Sequence, residues 1–200
     1  MKKISRLVFV DLETSGLDYL QHEILEFAAI VTDLKLKEVG RFVYKITPKH
    51  IESASPDALK TFGYDADVWS KEGLPITRAL SQINRLIPKK TLGVAVGHNV
   101  KMFDLPFIRK AYTDQKLFDP FSFHVIDTLD LAMAYCVASG VTLPNLKLQT
   151  LVTHFGLTCS KAHHAMYDIH ANMEVFKEIV GLLRIGWLDC QGEVSEIKSA

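Results

Sequence analysis

Cysteine is scarce in this sequence, and the cysteines that occur are far apart. They are Cys136, Cys159 and Cys190, and no two of them form a CxxC pair. An odd number of widely spaced cysteines argues against a disulfide framework and against a zinc knuckle. We therefore expect a protein of a reducing compartment, the cytoplasm.

Long hydrophobic runs are also lacking. The opening MKKISRLVFVD has only a few apolar residues before Arg6 and Asp11 interrupt them, which is too short for the core of a signal peptide. No later run approaches the roughly 20 residues that a transmembrane helix needs. The sequence predicts no membrane segment.

The chain has no net charge, because 23 Lys and Arg side chains balance 23 Asp and Glu side chains. Without a global positive field it would not hold nucleic acid non-specifically, so any anionic partner must be bound locally. Hydrophobic residues make up 48% of the 200 residues. That share is enough for the core of one domain.

Hydrophobic patterns predict three strands in series, followed by alternating helices and strands. The predicted strands cover residues 5–12, 23–33, 39–48, 91–99 and 123–128. The predicted helices cover residues 55–64, 75–88, 105–116, 130–139, 145–156 and 165–184. This order is typical of a mixed α/β sheet with helices packed on it.

The last predicted helix has a clear apolar stripe. The stripe is formed by Ile169, Met173, Phe176, Val180 and Leu183, whose spacing is typical of a core helix. Residues 185–200 are mostly polar and predict a loose tail. We therefore expect one domain over residues 1–184 and a short tail over residues 185–200.

Two acids interrupt the first apolar strand. Asp11 and Glu13 follow the apolar residues 7–10, although a buried strand avoids carboxylates, whose desolvation costs several kcal/mol or more. Side chains alternate along a strand, so Asp11 and Glu13 project from one side while Leu12 faces the other. The two carboxylates are therefore expected to converge.

Two further acids occur at the predicted start of a helix and at the rim of the apolar stripe. Asp104, taken alone, is explained as a helix cap, and Asp168 as a solvated or salt-bridged residue. If all four acids share one cleft, they repel each other unless cations neutralise them. An all-carboxylate set suits Mg²⁺ or Mn²⁺ better than Zn²⁺.

Three motifs carry a resemblance to a known family. They are FVDLETSGLD at residues 9–18, GHNVKMFDLPFI at residues 97–108, and HHAMYD at residues 163–168. Over residues 5–183 the chain resembles the DEDD superfamily of 3′→5′ exonucleases in its histidine-bearing (DEDDh) branch, which includes the proofreading subunit of DNA polymerase III, RNase T and oligoribonuclease. The resemblance implies a ribonuclease H-like fold, a five-stranded mixed sheet with helices on both faces and an antiparallel second strand.

The resemblance also implies a two-metal catalytic site. Asp11, Glu13 and Asp168 would hold one Mg²⁺ or Mn²⁺ ion, Asp11 and Asp104 would hold the other, and His163 would be the general base. Helical periodicity alone would instead choose His164, which lies four residues before Asp168. The family places its histidine five residues before the last acid, ahead of the helix, and this selects His163.

Residues near the motifs are candidates for binding the nucleic acid. The resemblance suggests that Thr14, Gly16 and Leu17 cradle and wedge the terminal nucleotide. It also places Asn99, Phe62 and Phe103 near that nucleotide, where aromatic rings stack on any base. Leu17, Phe62 and Phe103 could equally be core residues. Lys101 and Lys161 could assist, His98 is expected to orient the second motif, and His170 to be solvated.

The resulting hypothesis is a metal-dependent exonuclease that removes 5′-mononucleotides from single-stranded 3′ ends. A non-catalytic polymerase-associated module and a purely structural role for the acids are the alternatives. Residues 72–99 and 143–157 resemble the proofreading-like relatives, which favours DNA, while an RNA-processing enzyme stays open. A proofreading role would need a separate polymerase partner, and the oligomeric state is open.

Overall fold

The computed structural model describes residues 2–158 and 165–197. Its five strands are β1 (Lys3–Thr14), β2 (Ile24–Thr32), β3 (Glu38–Lys45), β4 (Thr91–Gly97) and β5 (Phe121–Asp127). They form one sheet in the order β3-β2-β1-β4-β5. β2 is antiparallel to β1 and β3, while β4 is parallel to β1 and β5 is parallel to β4. The five-stranded mixed sheet and its antiparallel second strand are confirmed.

Seven α-helices accompany the sheet in the described part of the chain. They are α1 (Pro56–Phe62), α2 (Ala66–Glu72), α3 (Ile76–Leu86), α4 (Asp104–Asp114), α5 (Thr128–Ser139), α6 (Leu148–His154) and α7 (Ala165–Ile197). None of the helices in these residues is long and apolar enough to cross a lipid bilayer.

Alternation along β1 divides the core between the two faces of the sheet. Val8, Val10 and Leu12 join the core cluster that includes residues of α3 and α4. Leu7 and Phe9 join the cluster on the other face, with Ile169 and other residues of α7. Asp11 and Glu13 continue the Leu7–Phe9 face. They therefore lie on the side of the sheet that α7 covers.

Helix α2 was not predicted. Helix α1 ends at Gly63, which has a left-handed φ of 76°, and Asp65 then caps α2 by accepting hydrogen bonds from the amides of Asp67 and Val68. Trp69 of α2 is buried and donates from Nε1 to the carbonyl oxygen of Leu25, 2.9 Å away. The missed signal was an N-cap aspartate two residues after a glycine C-cap.

The last helix is longer than the sequence predicts. Helix α7 continues to Ile197, whereas the predicted helix ended at residue 184. The division into a domain over residues 1–184 and a tail over residues 185–200 stays a prediction. No proline interrupts this stretch, and extending an existing helix is far easier than starting one.

The predicted stripe on α7 was only partly right. Ile169 and Phe176 are buried, but Val180 is 37% exposed and Leu183 is 56% exposed. Val175 and Ile179 are buried instead, in the cluster that includes residues of α5 and α6. The buried face moves around α7 because the helix packs first on the sheet and then on these two helices.

Candidate active site

Three acids converge where β1 ends. Asp11 and Glu13 of β1 and Asp168 in the first turn of α7 present carboxylate oxygens that all lie within 4.8 Å of one another. The apolar face of α7 places Asp168 there, since Phe176 packs edge-on against Phe9 with ring centroids 5.6 Å apart. The predicted convergence of these three carboxylates is therefore present.

Asp104 lies outside this group of three but is tied to the same strand. It is the first residue of α4, it is buried, and its Oδ1 accepts a hydrogen bond from the amide of Leu12 at 3.0 Å. The β1–β4 pairing ends at Phe9, so the backbone of β1 beyond that point needs another partner on that side. Asp104 supplies it, whereas the N-cap position of α4 is Phe103, so Asp104 is not the simple helix cap that it could have been. Its predicted metal-binding role stays a prediction.

The carboxylates share a desolvated, negatively charged environment. Burial, followed by repulsion from Glu26, Asp168 and Asp104, raises the pKa of Glu13 to about 8. Burial and the charge of Asp104, followed by that of Glu13, hold the pKa of Asp11 well above its usual range. A site of this kind retains protons at neutral pH unless a cation replaces them.

The pKa of Asp104 is also raised, to about 7, and the largest cause is burial. Hydrogen bonds from its own amide and from Leu12 oppose this rise, and the charge of Asp127 adds to it. Asp104 is therefore a partly protonated group at neutral pH in the absence of a cation.

Glu26 is an acid of this site that the sequence analysis missed. It lies on β2 opposite Glu13, is only 7% exposed, and is the neighbouring charge that most raises the pKa of Glu13. The signal was present in the sequence, because an acid inside the apolar stretch ILEFAAIVT is as anomalous as Asp11 in β1.

Asp127 supports the loop of the second motif. Its Oδ1 accepts a hydrogen bond from the Asn99 amide at 2.8 Å, and its Oδ2 accepts one from the Lys101 amide at 3.1 Å. Asn99 itself is exposed and has a left-handed φ of 64°. A buried carboxylate that accepts hydrogen bonds from two amides of the loop stabilises this unusual backbone conformation. Asp127 was also missed, since the end of a strand gave no reason to single it out.

His98 contacts the start of α5, and its expected role in orienting the second motif stays a prediction. Its Nδ1 lies 3.1 Å from Oγ1 of Thr128, and burial lowers its pKa. His170 was expected to be solvated, but it is half-buried and its Nε2 lies 3.2 Å from Nη1 of Arg41 on β3. That contact links α7 to the outer strand of the sheet.

The turn after β1 is closed by its own hydrogen bonds. Thr14 is buried and its hydroxyl donates to the carbonyl oxygen of Gly16 at 2.7 Å. The amide of Ser15 donates to the carbonyl oxygen of Glu23, and the hydroxyl of Ser15 accepts from the amide of Glu23. The turn therefore has a defined shape without any ligand.

Gly16 is needed in this turn because it contacts the ring of His22. A Cβ atom at position 16 would lie 2.4 Å from Cδ2 and Nε2 of that imidazole. Leu17, the next residue, is 83% exposed. The alternative that Leu17 is a core residue is thereby excluded, and a rigid turn presents its side chain to solvent.

Phe103 and Phe62 are half-buried on either side of this region. The rings of Phe103 and Phe107 pack with their centroids 5.4 Å apart. The ring of Phe107 also packs against Tyr19 of the turn, with centroids 6.2 Å apart. Phe62 packs edge-on against Trp69 at 5.2 Å. Both rings thus pack partly in the protein and keep part of their surface exposed, so they are partial core residues that could also contact a base.

Three candidates, His163, His164 and Lys161, lie outside the described residues. Lys101 is exposed, and only its main-chain amide is engaged by Asp127 among the hydrogen bonds of the described residues. An open groove of about 740 Å³ lies beside the turn, between Tyr19, Ile46, Pro75 and Phe107. None of the four predicted acids lines it, so the groove is separate from the carboxylate cluster.

The donor set fits a hard divalent cation. Three carboxylates lie close enough to share one ion, and the charge of that ion would relieve the repulsion that raises the pKa values of Asp11 and Glu13. Oxygen-only ligands are those that Mg²⁺ and Mn²⁺ prefer.

Comparison with known proteins matches residues 8–176 to the family model described as "Exonuclease". DNA polymerase III subunit epsilon of Treponema pallidum is 31% identical over 170 residues, which cover 85% of this chain and 74% of that protein. Ribonuclease T of Escherichia coli K12 is 30% identical over 185 residues, which cover 86% of this chain and 83% of that protein.

Among solved structures, the zinc-bound E. coli exonuclease I complex with single-stranded DNA superposes with a TM-score of 0.74 at 26% identity. The match covers 88% of this chain and 40% of exonuclease I, so the chain spans well under half of that protein. The shared architecture is the ribonuclease H-like fold.

The raised pKa values predict that the metal-free protein becomes less stable as pH rises. Glu13 has an ordinary pKa near 4.5 when unfolded and about 8 when folded, so the folded state binds more protons between these values. We expect the melting temperature in EDTA to fall between pH 5.5 and 8. Saturating Mn²⁺ at pH 8 should restore it by roughly 3 °C or more.

Glu13→Gln is the control for this pH effect, because an amide of the same shape does not titrate. In EDTA this variant should melt higher than the wild type at pH 8, and its melting temperature should fall less with pH. An equal fall in both proteins would show that the carboxylate cluster is not the cause.

The contact of Gly16 with His22 makes a separate prediction. Gly16→Ala places a methyl group against the imidazole, so it should distort the turn and lower both the melting temperature and any activity. His22→Ala in the same chain should recover most of the loss, because it removes the clashing ring. A double variant as impaired as Gly16→Ala alone, measured by thermal melting, would contradict the packing explanation.

Proposed function

The chain belongs to the exonuclease family, and on that premise we propose that it is a metal-dependent 3′→5′ exonuclease releasing 5′-mononucleotides from single-stranded 3′ ends. The observation that carries the proposal is the cluster of Asp11, Glu13 and Asp168. The carboxylate oxygens of the three acids lie within 4.8 Å of one another, and the pKa values of Asp11 and Glu13 are raised by burial and by the neighbouring negative charges.

Two divalent ions, Mg²⁺ or Mn²⁺, are the proposed cofactors. Asp11, Glu13 and Asp168 would hold one, and Asp11 with Asp104 would hold the other. When bound, such ions lower the pKa of a water molecule and stabilise charge on the attacking and leaving oxygens. The hydrogen bond from Leu12 to Asp104 keeps one oxygen of that carboxylate fixed, so its orientation does not depend on the ion.

The reaction needs a base, and His163 is the proposed one. A ring nitrogen of His163 would accept the proton of the attacking water. The water oxygen then forms a bond to phosphorus, and the bond from phosphorus to the 3′ oxygen of the preceding nucleotide breaks. The terminal nucleotide leaves with its 5′ phosphate, and the 3′ oxygen of the shortened strand takes a proton from solvent water to become a hydroxyl.

The turn after β1 is the proposed contact for the terminal nucleotide. Leu17 offers an exposed apolar side chain on a turn that Ser15 and Glu23 close. Its burial against an unpaired base would be favourable, and the exposed part of Phe103 could stack on a neighbouring group. Thr14, Gly16, Asn99 and Phe62 would shape the surroundings. The single-stranded DNA in the exonuclease I complex supports a single-stranded substrate.

The two relatives favour different nucleic acids as the substrate. The resemblance to a DNA polymerase subunit favours DNA and a separate polymerase partner, while the similarly close ribonuclease T favours RNA. We propose DNA as the substrate, with RNA as the second candidate. A non-catalytic nucleic-acid-binding module is the third reading, and the cytoplasmic location stays a prediction.

The first experiment tests the chemistry directly. Purified protein is incubated with 5′-labelled single-stranded DNA or RNA of matched sequence, with Mn²⁺ or EDTA. We expect a ladder that shortens from the 3′ end with Mn²⁺ only. Asp11→Asn should slow it by roughly 100-fold or more, because the transition-state charge loses a ligand of its stabilising cation.

Asp114→Asn is the matched control, since Asp114 lies on α4 and pairs with Lys110 at the surface. It should cut like the wild type. Binding of both oligomers without any cleavage would support the non-catalytic module, and faster cleavage of RNA would reverse the proposed substrate.

A second experiment tests the contact at Leu17. Leu17→Ala should raise KM for a single-stranded oligomer roughly tenfold, since burying a leucine contributes about 1.5–3 kcal/mol. The control is Leu34→Ala, because Leu34 is 54% exposed and lies in the turn between β2 and β3, beyond the end of β2 that is remote from Glu26. Equal KM values for both variants, or faster digestion of blunt duplex than of single strand by the wild type, would contradict the proposed contact.

A further inference from the structure

One residue on the buried face of α7 is not explained by packing. Asn172 is only 3% exposed and lies between the apolar residues Ile169 and Phe176. Its Nδ2 has no hydrogen-bond partner in the described residues. A leucine at this position would avoid the cost of burying an amide, which is about 1–3 kcal/mol when a donor is left unpaired. A polar side chain at this buried position therefore indicates a role other than filling the core.

Asn172 has one well-defined polar contact, to the first residue of α5. The hydroxyl of Thr128 lies 2.5 Å from Oδ1 of Asn172 and donates to it. The same hydroxyl lies 3.1 Å from the carbonyl oxygen of Gly97 and 3.1 Å from Nδ1 of His98. Thr128 is fully buried, so water does not compete for its hydrogen bond to Asn172. Its hydroxyl lies where the end of β4, the start of α5 and the N-terminal part of α7 meet.

This point lies one helical turn from the carboxylate cluster. Asn172 follows Asp168 by four residues, so the two side chains share a face of α7. The contacts of Ile169 and Phe176 hold α7 on the sheet, but apolar contacts have no preferred direction. A hydrogen bond is directional, and it restrains the rotation and sliding of the helix. The position of Asp168 relative to Asp11 and Glu13 therefore depends on the bond between Thr128 and Asn172.

We propose that Thr128 and Asn172 are positioning residues that set the place of Asp168 in the carboxylate cluster. This inference rests on the proposed function, because it assigns the pair to the metal-binding geometry. Neither residue contacts the reacting atoms. Their effect passes through the helix, in the way that groups behind a metal ligand change metal affinity by about 10–100-fold.

The test measures Mn²⁺ binding to the substrate-free protein by isothermal titration calorimetry. Thr128→Val removes the hydroxyl at nearly constant volume, and Asn172→Leu removes the amide. Each should weaken Mn²⁺ binding about tenfold or more, while Thr128→Ser, which keeps the hydroxyl, should bind almost like the wild type. The double variant should be no weaker than the weaker single variant, because both changes remove the same bond.

Val175→Ala is the matched control, since Val175 is fully buried on the same helix but belongs to the cluster with residues of α5 and α6. It should lower the melting temperature and leave Mn²⁺ affinity unchanged. Wild-type Mn²⁺ affinity in folded Thr128→Val and Asn172→Leu would overturn the positioning role.

The wild type separates this failure from a failure of the proposed function. If the wild type binds Mn²⁺ and shortens an oligomer while the variants match it, only the positioning role falls. If the wild type neither binds Mn²⁺ nor cleaves, both proposals fall.

Discussion

Mutual repulsion among partly buried carboxylates is the unfavourable term that the packing of this protein has to offset. Asp11, Glu13 and Asp168 lie within 4.8 Å of one another, and Glu26 and Asp104 are close enough to raise the pKa values of Asp11 and Glu13. An isolated strand and helix would separate to relieve this repulsion. They do not separate here, because β1 is paired on both sides and apolar clusters cover both faces of the sheet. The core therefore stabilises an arrangement that is unfavourable until a cation binds.

Polar side chains stabilise the backbone at the ends of the strands. Asp104 takes the amide that β1 presents beyond its pairing with β4, and Asp127 takes two amides of the loop after β4. Thr128 connects that region to α7. All of these groups lie at the carboxyl ends of the parallel strands β1, β4 and β5, where open α/β sheets place their binding sites. Each holds backbone in place that the sheet itself no longer supports.

The turn after β1, which would contact a nucleotide, is held by hydrogen bonds and close packing. The turn after β1 is closed by Thr14 and Ser15, and its tight passage past His22 leaves room only for a glycine at position 16. As a result, Leu17 is exposed on a turn whose backbone is fixed by hydrogen bonds. Such preorganisation lowers the entropic cost of binding, because the turn need not be ordered by the ligand.

Local sequence patterns predict the five strands and the meeting of Asp11 with Glu13, and the family resemblance adds the antiparallel second strand of a mixed sheet. These features follow from local rules: a period of two along a strand, a period of 3.6 along a helix, and motifs that match a family. The local rules flag Glu26 as an acid inside an apolar strand, but they do not show that it lies opposite Glu13, because that depends on the pairing of β2 with β1. They missed α2, whose capping signals are short and weak.

Contacts between elements that are far apart in the sequence come from the packing of the fold. Asp168 joins the acids because α7 packs on Phe9, and Val180 is exposed because α7 leaves the sheet at its far end. Asp127, Thr128 and Asn172 are ordinary residues in the sequence, and they acquire their roles from partners that lie 26–44 positions away. Hydrogen bonds and charge repulsion act over a few ångströms in space, and distance along the chain does not reveal them.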